Sequence, residues 1–504
     1  MWSRRTFLKT AAAVPLGVLS AAPAPIDVGG RKQLFIDGRF IARSRGITLT
    51  LHPPRKAGAV MLPEAPWERD YIGAYLSVIE HDGALKMWYM SGAGKGDPHL
   101  CYATSSDGVR WERPDLGQVE FQGSRRNNIV LARFREGAVV LDPGAPAEQR
   151  FKTLEAFGGS SPSALGTSSS GALMLMSSPD GIRWGHECEV LPFHPDTMNV
   201  LLWDARIGKY VAYLRGWNPL RVVVRTEIPR GRLFQTWPYT PSPKPYFLWS
   251  FLKGNWPAAI RTELPTVIAA DNRDPAASDI YTPNVQVYPW AEDVYVAFPS
   301  LFRHTAPPGS ERVPMNGVLD VQFASSRDGI HFDRTQREPY ARMGLPGEPD
   351  QRGVYVGLGM IRRGDEIWQY YGGHAADHNA TERAATAIMR LVQRLDGFVA
   401  AEAGTDEGEI VTPLLRFEGT RLELNADTSA AGTARVELLD ASGVPVPGFE
   451  LRNCAPVIAN DVAHPVTWVG NPDLARFQGP PVALRFRLRN ARLYAFQFRS
   501  EAAA

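Results

Sequence analysis

The sequence predicts an all-β protein, a five-bladed β-propeller followed by a C-terminal β-sandwich, on three observations. First, "HLCYATSSDGVRW" (His99 to Trp111) returns as "LMLMSSPDGIRW" (Leu173 to Trp184) and "DVQFASSRDGIHF" (Asp320 to Phe332), with a fainter echo in "MRLVQRLDGF" (Met389 to Phe398). Second, the Asp-Gly aspartates Asp107, Asp180, Asp328 and Asp396 are spaced 73 (107 to 180), 148 (180 to 328) and 68 (328 to 396) residues apart. The middle gap is about two periods and holds a degenerate copy, "YVAYLRGWNPLRVVVRTEIPRGRLFQTW" (Tyr210 to Trp237). A period near 70 residues with four short strands reads as propeller blades carrying long loops. Third, 46 Gly, 41 Pro and abundant aromatics suit short strands and turns, and almost no stretch shows a helical apolar period.

The elements follow in chain order. Residues 1–24 read as an address: twin arginines in "SRRTFLK" precede an Ala-rich apolar segment, as in a twin-arginine export signal with cleavage expected near Ala22 or Ala24. The expected location is periplasmic or extracellular. The only expected membrane contact is export itself or an uncleaved signal. Residues 25–63 hold two strands and a connector ("QLFIDGRFIA", "GITLTLHPP"). Residues 64–404 hold the blades, each strand alternating apolar and polar residues with β-branched and aromatic content. The last blade is read as ending on "FVAAEAG" (Phe398 to Gly404). Residues 405–504 lose the repeat and read as the sandwich, in strands such as "GTARVELLD" and "RLYAFQFR".

The repeated Asp-Gly pairs are hairpin turns, because Asp and Gly tolerate positive φ. Asp107, Asp180 and Asp328 are therefore turn residues and not catalytic. Charge excludes other classes: 55 basic residues face 53 acidic ones, and without Arg4, Arg5 and Lys9 no basic tract remains for nucleic acid. Cys101, Cys188 and Cys454 lie too far apart for a zinc site or a disulfide framework, although one pair could close in an oxidising compartment.

The strings "LKMWYMSG" and "LCYATSSDGVRWERPDLG" resemble the first blade of five-bladed propeller glycoside hydrolases, the superfamily around families 32 and 43. "QLFIDGRFIARSRGITLTLHPPRKAGAVMLPEAPWE" is similar to an exported, family-32-like bacterial branch with a C-terminal sandwich. The Asn-Asp-Pro-Asn nucleophile string of invertases is missing, and "NRDP" (Asn272 to Pro275) stands at the wrong place in blade order for the later Arg-Asp-Pro string. The resemblance implies the fold and a carbohydrate substrate. It does not transfer residue roles.

Glycosidic bond cleavage needs one carboxylic acid to protonate the leaving oxygen and one carboxylate as base or nucleophile. Loops leading into the inner strands converge around a propeller axis, so acids there are the candidates. Asp70 is expected as base or nucleophile, Asp196 and Asp279 as sugar-orienting or pKa-setting groups, and Glu348 as general acid. Glu68 is the rival of Asp70. Trp67, Tyr71, Asn199, Arg215, Trp217, Tyr281, His304 and His374 are expected to contact substrate, and His378 stands beside His374 in "GGHAADHN". No cofactor or metal is called for, and the sequence leaves the oligomeric state open. The leading expectation is an exported, exo-acting glycoside hydrolase. The alternatives are a non-catalytic carbohydrate-binding propeller, and a lyase with a Tyr or His base facing an arginine.

Overall fold

Short alternating stretches bounded by Gly, Asp and Asn turns form strands throughout. A computed structural model describes residues 24–500 apart from 94–97, 135–136, 159–170, 193–194, 218–219, 246–259, 306–315, 379, 381–383 and 471–472. The twin-arginine segment lies outside the described residues. Among them the secondary structure is β-strand with five single-turn 3-10 helices, and no helix is long and apolar enough to cross a membrane. The chain is all-β.

Five sets of strands follow the repeats, the fourth and fifth joined edge to edge in one eight-stranded sheet through the parallel pairing of Leu319 with Gly353. The first is antiparallel over Tyr71–His81, Ala84–Gly92, His99–Ser105 and Ile129–Leu131. The second runs Val139–Leu141, Phe151–Gly158, Gly171–Ser178 and Gly185–Leu191. The third runs Val200–Asp204, Lys209–Trp217, Arg221–Pro229 and Thr266–Ile268. In the fourth, the first strand breaks at Asn284 (φ +32), giving Ser278–Ile280 and Val285–Val287. The fifth holds Gly353–Val356, Glu366–His374 and Thr386–Arg394.

The strand closing the fifth sheet differs from the sequence reading. It is Arg55–Met61, from the segment read as a connector, with Ile388 opposite Met61. Val399–Ala403, read as that closing strand, pairs with Thr48–Leu51 and Ala491–Arg499 of the tail. The physical reason is burial. Val399, Ala400 and Ala401 are all fully buried, whereas a strand at the rim of a sheet alternates. The tail itself has this sheet and a four-stranded one over Arg43–Arg45, Gly408–Val411, Ala483–Arg489 and Thr433–Leu439. Phe35, Phe40, Trp468, Phe486 and Phe496 belong to their shared core.

Contacts between sheets run in a cycle. Val139 N donates to Ser77 Oγ (2.9 Å), joining second to first. Gly137 bridges Asn199, joining second to third. Arg215 donates to Tyr281 O (2.6 Å), joining third to fourth. Asn284 Nδ2 donates to Val356 O (2.7 Å), joining fourth to fifth. Ser77 bridges Leu358, joining fifth back to first.

The repeated string acquires its explanation here. Asp107 Oδ1 accepts from the amides of Val109 and Arg110, and Ser105 Oγ accepts from Gly108 N. Ser178/Asp180 and Ser326/Asp328 repeat the pattern. Only the glycine of these three turns has positive φ, +74 to +75; the fifth repeat instead uses Asp396 at +61. Each glycine carbonyl is then gripped by an aromatic of the preceding sheet: Tyr370 on Gly108, Trp88 on Gly181 and Tyr213 on Gly329. The motif docks one sheet on the next.

Candidate functional site

Tyr281, four per cent exposed, stands where four sheets meet. The third sheet supplies Arg215, whose Nε and Nη2 donate to the Tyr281 carbonyl (3.1 and 2.6 Å) and whose Nη1 donates to Asp196 Oδ2 (2.8 Å). Its guanidinium lies 4.3 Å from the Tyr281 ring centroid. Arg221, on the next strand, donates to Asp279 Oδ2 (3.0 Å) and is enclosed by the rings of Trp217, Tyr281 and Phe302 at 5.1 to 5.2 Å. Arginine suits this place because its charge spreads over a plane that stacks on aromatic faces.

The Asp196 loop is strained. Asp196 has φ +44 and Thr197 φ +121, and a β-branched residue in that region costs about 1–3 kcal/mol. Three bonds hold it: Thr197 Oγ1 to Tyr281 O, Asn199 Nδ2 to Thr197 O, and Arg215 to Asp196. Strain retained in this way aims the Asp196 carboxylate, whose side chain stays 16% exposed, toward the cluster.

Asp279 is fully buried and pairs with both Arg221 and His304 (Nε2 to Oδ2, 3.2 Å). Burial opposes its charge, but His304 and Arg221 outweigh that and hold its carboxyl below the usual range. Its Oδ1 and the Nε of Arg221 are buried without a hydrogen-bond partner among the described residues. Behind Tyr281, its hydroxyl contacts Tyr75 (3.3 Å) and His378 Nε2 (3.1 Å), and Tyr355 contacts His378 Nδ1 (3.1 Å). Burial and the arginines lower His378 to about 3; burial alone lowers His374 to about 4. Both imidazoles are neutral at ordinary pH.

The structure thus brings Asp196, Asp279, Asn199, Arg215, Trp217, Tyr281 and His304 together. Tyr71 packs against the same cluster, Asp70 beside it keeps 21% side-chain exposure, and the ring of His374 lies 5.1 Å from that of Tyr355. Three expectations move. Glu68 is wholly buried, its Oε1 accepting from Tyr89 and Arg113 and its Oε2 from the amides of Glu64 and Ala65. Trp67 donates to Asn128 in the same internal network. Glu348 sits exposed on a surface turn with Oε2 accepting from Leu345 N, so it folds its own loop. Counting acids ahead of inner strands cannot distinguish these, because loop closure also needs carboxylates. The sequence reading missed Arg221, Tyr75 and Thr197. A charged residue opening an apolar strand, "RVVVRTEI", was the available signal for Arg221.

No family model matches the chain. An uncharacterized protein of Mycobacterium tuberculosis (strain CDC 1551 / Oshkosh) is 38% identical over 84 residues, covering 15% of this chain and 26% of that protein. The chain therefore spans about a quarter of the curated relative it matches. Similar solved structures include an N-acetylgalactosamine deacetylase from F. plautii in complex with blood group B trisaccharide (TM-score 0.43, 12% identity, 69% of this chain and 96% of that one). Another comes from the GH130 family of mannoside phosphorylases and glycoside hydrolases (0.40, 16%, 74% and 99%). A third is a family-43 arabinoxylan arabinofuranohydrolase from Bacillus subtilis in complex with cellotetraose (0.32, 11%, 85% and 96%). Several similar structures are glycoside hydrolases. At these scores and identities the likeness carries no argument about what this chain does.

Proposed function

We propose that this chain is an exported carbohydrate-active enzyme that hydrolyses a glycosidic bond, exo-acting in a pocket at the centre of a five-bladed propeller, with the tail as an accessory sandwich. The observation that carries the reading is the convergence of four repeats on Tyr281, with two arginine-held carboxylates among aromatic faces suited to sugar C–H surfaces. The cyclic contacts of the five sheets support the propeller, and the two tail sheets around one core support the sandwich. Asp196 and Asp70 are the carboxylates a substrate reaches, while Asp279 fixes Arg221 and His304. In the usual two-carboxylate mechanism such groups lie roughly 5–10 Å apart across the scissile bond.

The test is product release from a panel of polysaccharides and oligosaccharides. New reducing ends, lost in Asp196→Asn, support hydrolysis, and a monosaccharide as sole product supports exo-action. Binding without any product moves the binding-module reading ahead. A lyase has a specific observation in its favour, the neutral His378 between two tyrosines near Arg221. An unsaturated uronate product would establish it. N-terminal sequencing of the secreted form tests the export signal.

A further inference from the structure

We infer that Tyr281, His378 and Tyr355 form a neutral proton relay across the site, in which the His378 imidazole changes tautomer during turnover instead of becoming charged. This rests on the hydrolytic reading above and adds how its protons move. Both ring nitrogens of His378 lie 3.1 Å from a tyrosyl oxygen, Nε2 from Tyr281 and Nδ1 from Tyr355. A neutral imidazole has one donor and one acceptor nitrogen, so one tyrosine must donate and the other accept.

The neighbours set the direction. Thr197 Oγ1 gives its one hydrogen to the Tyr281 carbonyl (3.2 Å) and lies 3.4 Å from the Tyr75 hydroxyl, which donates to the Tyr281 phenol oxygen (3.3 Å). Tyr281 then spends its own hydrogen on Nε2, and Nδ1–H donates to Tyr355. The Tyr355 hydrogen is left at the far end to be given away. The chain crosses from the Asp196 loop through the first and fourth sheets to the fifth.

Among the described residues, the charged and titratable groups around the ring are Arg215, Arg221 and Asp196 from the third repeat, Tyr281 from the fourth, and Tyr355 and His374 from the fifth. Burial and both arginines make an imidazolium costly at His378, and burial raises both tyrosines, so neither a cation nor a phenolate is an easy resting form. A relay that passes a proton without making an ion avoids both.

The step balances. Water forms its bond to the anomeric carbon and gives a proton to the Tyr281 oxygen. The Tyr281 proton passes to Nε2, the Nδ1 proton passes to the Tyr355 oxygen, and the Tyr355 proton goes to the glycosidic oxygen as its bond to the anomeric carbon breaks. One water is consumed, no net charge develops, and solvent exchange at both ends restores the first tautomer. This supplies the proton donor that Glu348, on its surface turn, does not.

The test uses the full chain with 15N-labelled histidine. We expect His378 to stay neutral from about pH 8 to about pH 5, where an ordinary histidine charges. Tyr281→Phe and Tyr355→Phe should each shift its two nitrogen signals. Titration within that window, or signals indifferent to both variants, overturns the relay. In turnover, His378→Gln and Tyr355→Phe should lower kcat by about 100-fold or more, with KM nearly unchanged and the solvent deuterium isotope effect altered. Normal kcat in both folded variants overturns it as well. If the wild type cleaves no glycan while the nitrogen signals behave as expected, the hydrolytic reading fails and the turnover step fails with it, leaving only the neutral Tyr281–His378–Tyr355 chain.

Discussion

Asp279→Asn is the sharpest probe of how the site is held. The substitution keeps shape and removes one charge from a pair whose side chains are each one per cent exposed. Arg221 then remains buried with its countercharge gone, and breaking such a pair costs about 3–5 kcal/mol. If the five sheets unfold together, roughly 340 residues at about 2.1 cal/mol/K each give an unfolding entropy near 0.7 kcal/mol/K. The expected fall in the apparent Tm is therefore about 4–7 °C. Arg221→Met should cost less, since Asp279 keeps His304 (3.2 Å) as a partner. The double variant should recover much of the loss, because an apolar replacement for a buried pair is often close to neutral. Scanning calorimetry on the four proteins decides it. Additive losses in the double variant would refute the claim that the pair, and not each residue alone, holds the site.

Other outcomes follow from the same geometry. Asp196→Asn should abolish hydrolysis by about 100-fold or more, whereas Glu348→Gln should leave it unchanged, as read by reducing-end release. Gly181→Ala should lower Tm, by about 2–4 kcal/mol of stability, because its φ is +75 and a Cβ would come within 2.3 Å of the Trp88 ring. Glu402 is held down to about 2 chiefly by His52, so its contribution is complete above the ordinary carboxylate range, near pH 4, and is lost as pH falls through about 2. His52→Ala should therefore flatten the acid limb of a Tm-versus-pH curve. Deleting residues up to Pro63 should give aggregated protein on a sizing column, because the edge of Thr386–Arg394 loses its partner Arg55–Met61.

The repeat was legible because one physical need recurs: a tight turn presenting a glycine carbonyl to an aromatic on the neighbouring sheet. Ser, Asp and Gly at fixed spacing satisfy that need locally, so they mark each sheet wherever it falls. The closing strand was not legible. Arg55–Met61 and Val399–Ala403 are both short, and their partners lie more than 300 residues apart or in another sheet altogether. Nothing in their own alternation says which edge they join. Asp196 and Asp279 were found as acids before inner strands. Arg221 escaped because its role depends on three rings brought together by tertiary contact.

Acid counting overestimates sites in this fold for a reason the structure makes plain. Tyr210 donates to Asp142, Tyr295 to Asp204, Tyr288 to Asp396 and Tyr371 to Asp350, and each aspartate also faces Arg230, Arg206, Lys32 or Lys56 respectively. These four clasps bury a carboxylate, pair it with a cation and give it a phenol hydrogen, so they are part of what holds the molecule together. The Tyr281 cluster uses the same three residue types and differs in two respects. One of its carboxylates, Asp196, sits on a strained loop, and its tyrosines turn toward a histidine instead of toward the aspartate. A clasp that spends its tyrosine on its acid has nothing left for a substrate. In the central cluster the acids are held by arginines from one sheet while the phenols form a separate chain, which leaves Asp196 partly exposed and a hydroxyl at each end of the relay. That division of partners, more than the number of carboxylates, separates the candidate site from the scaffold.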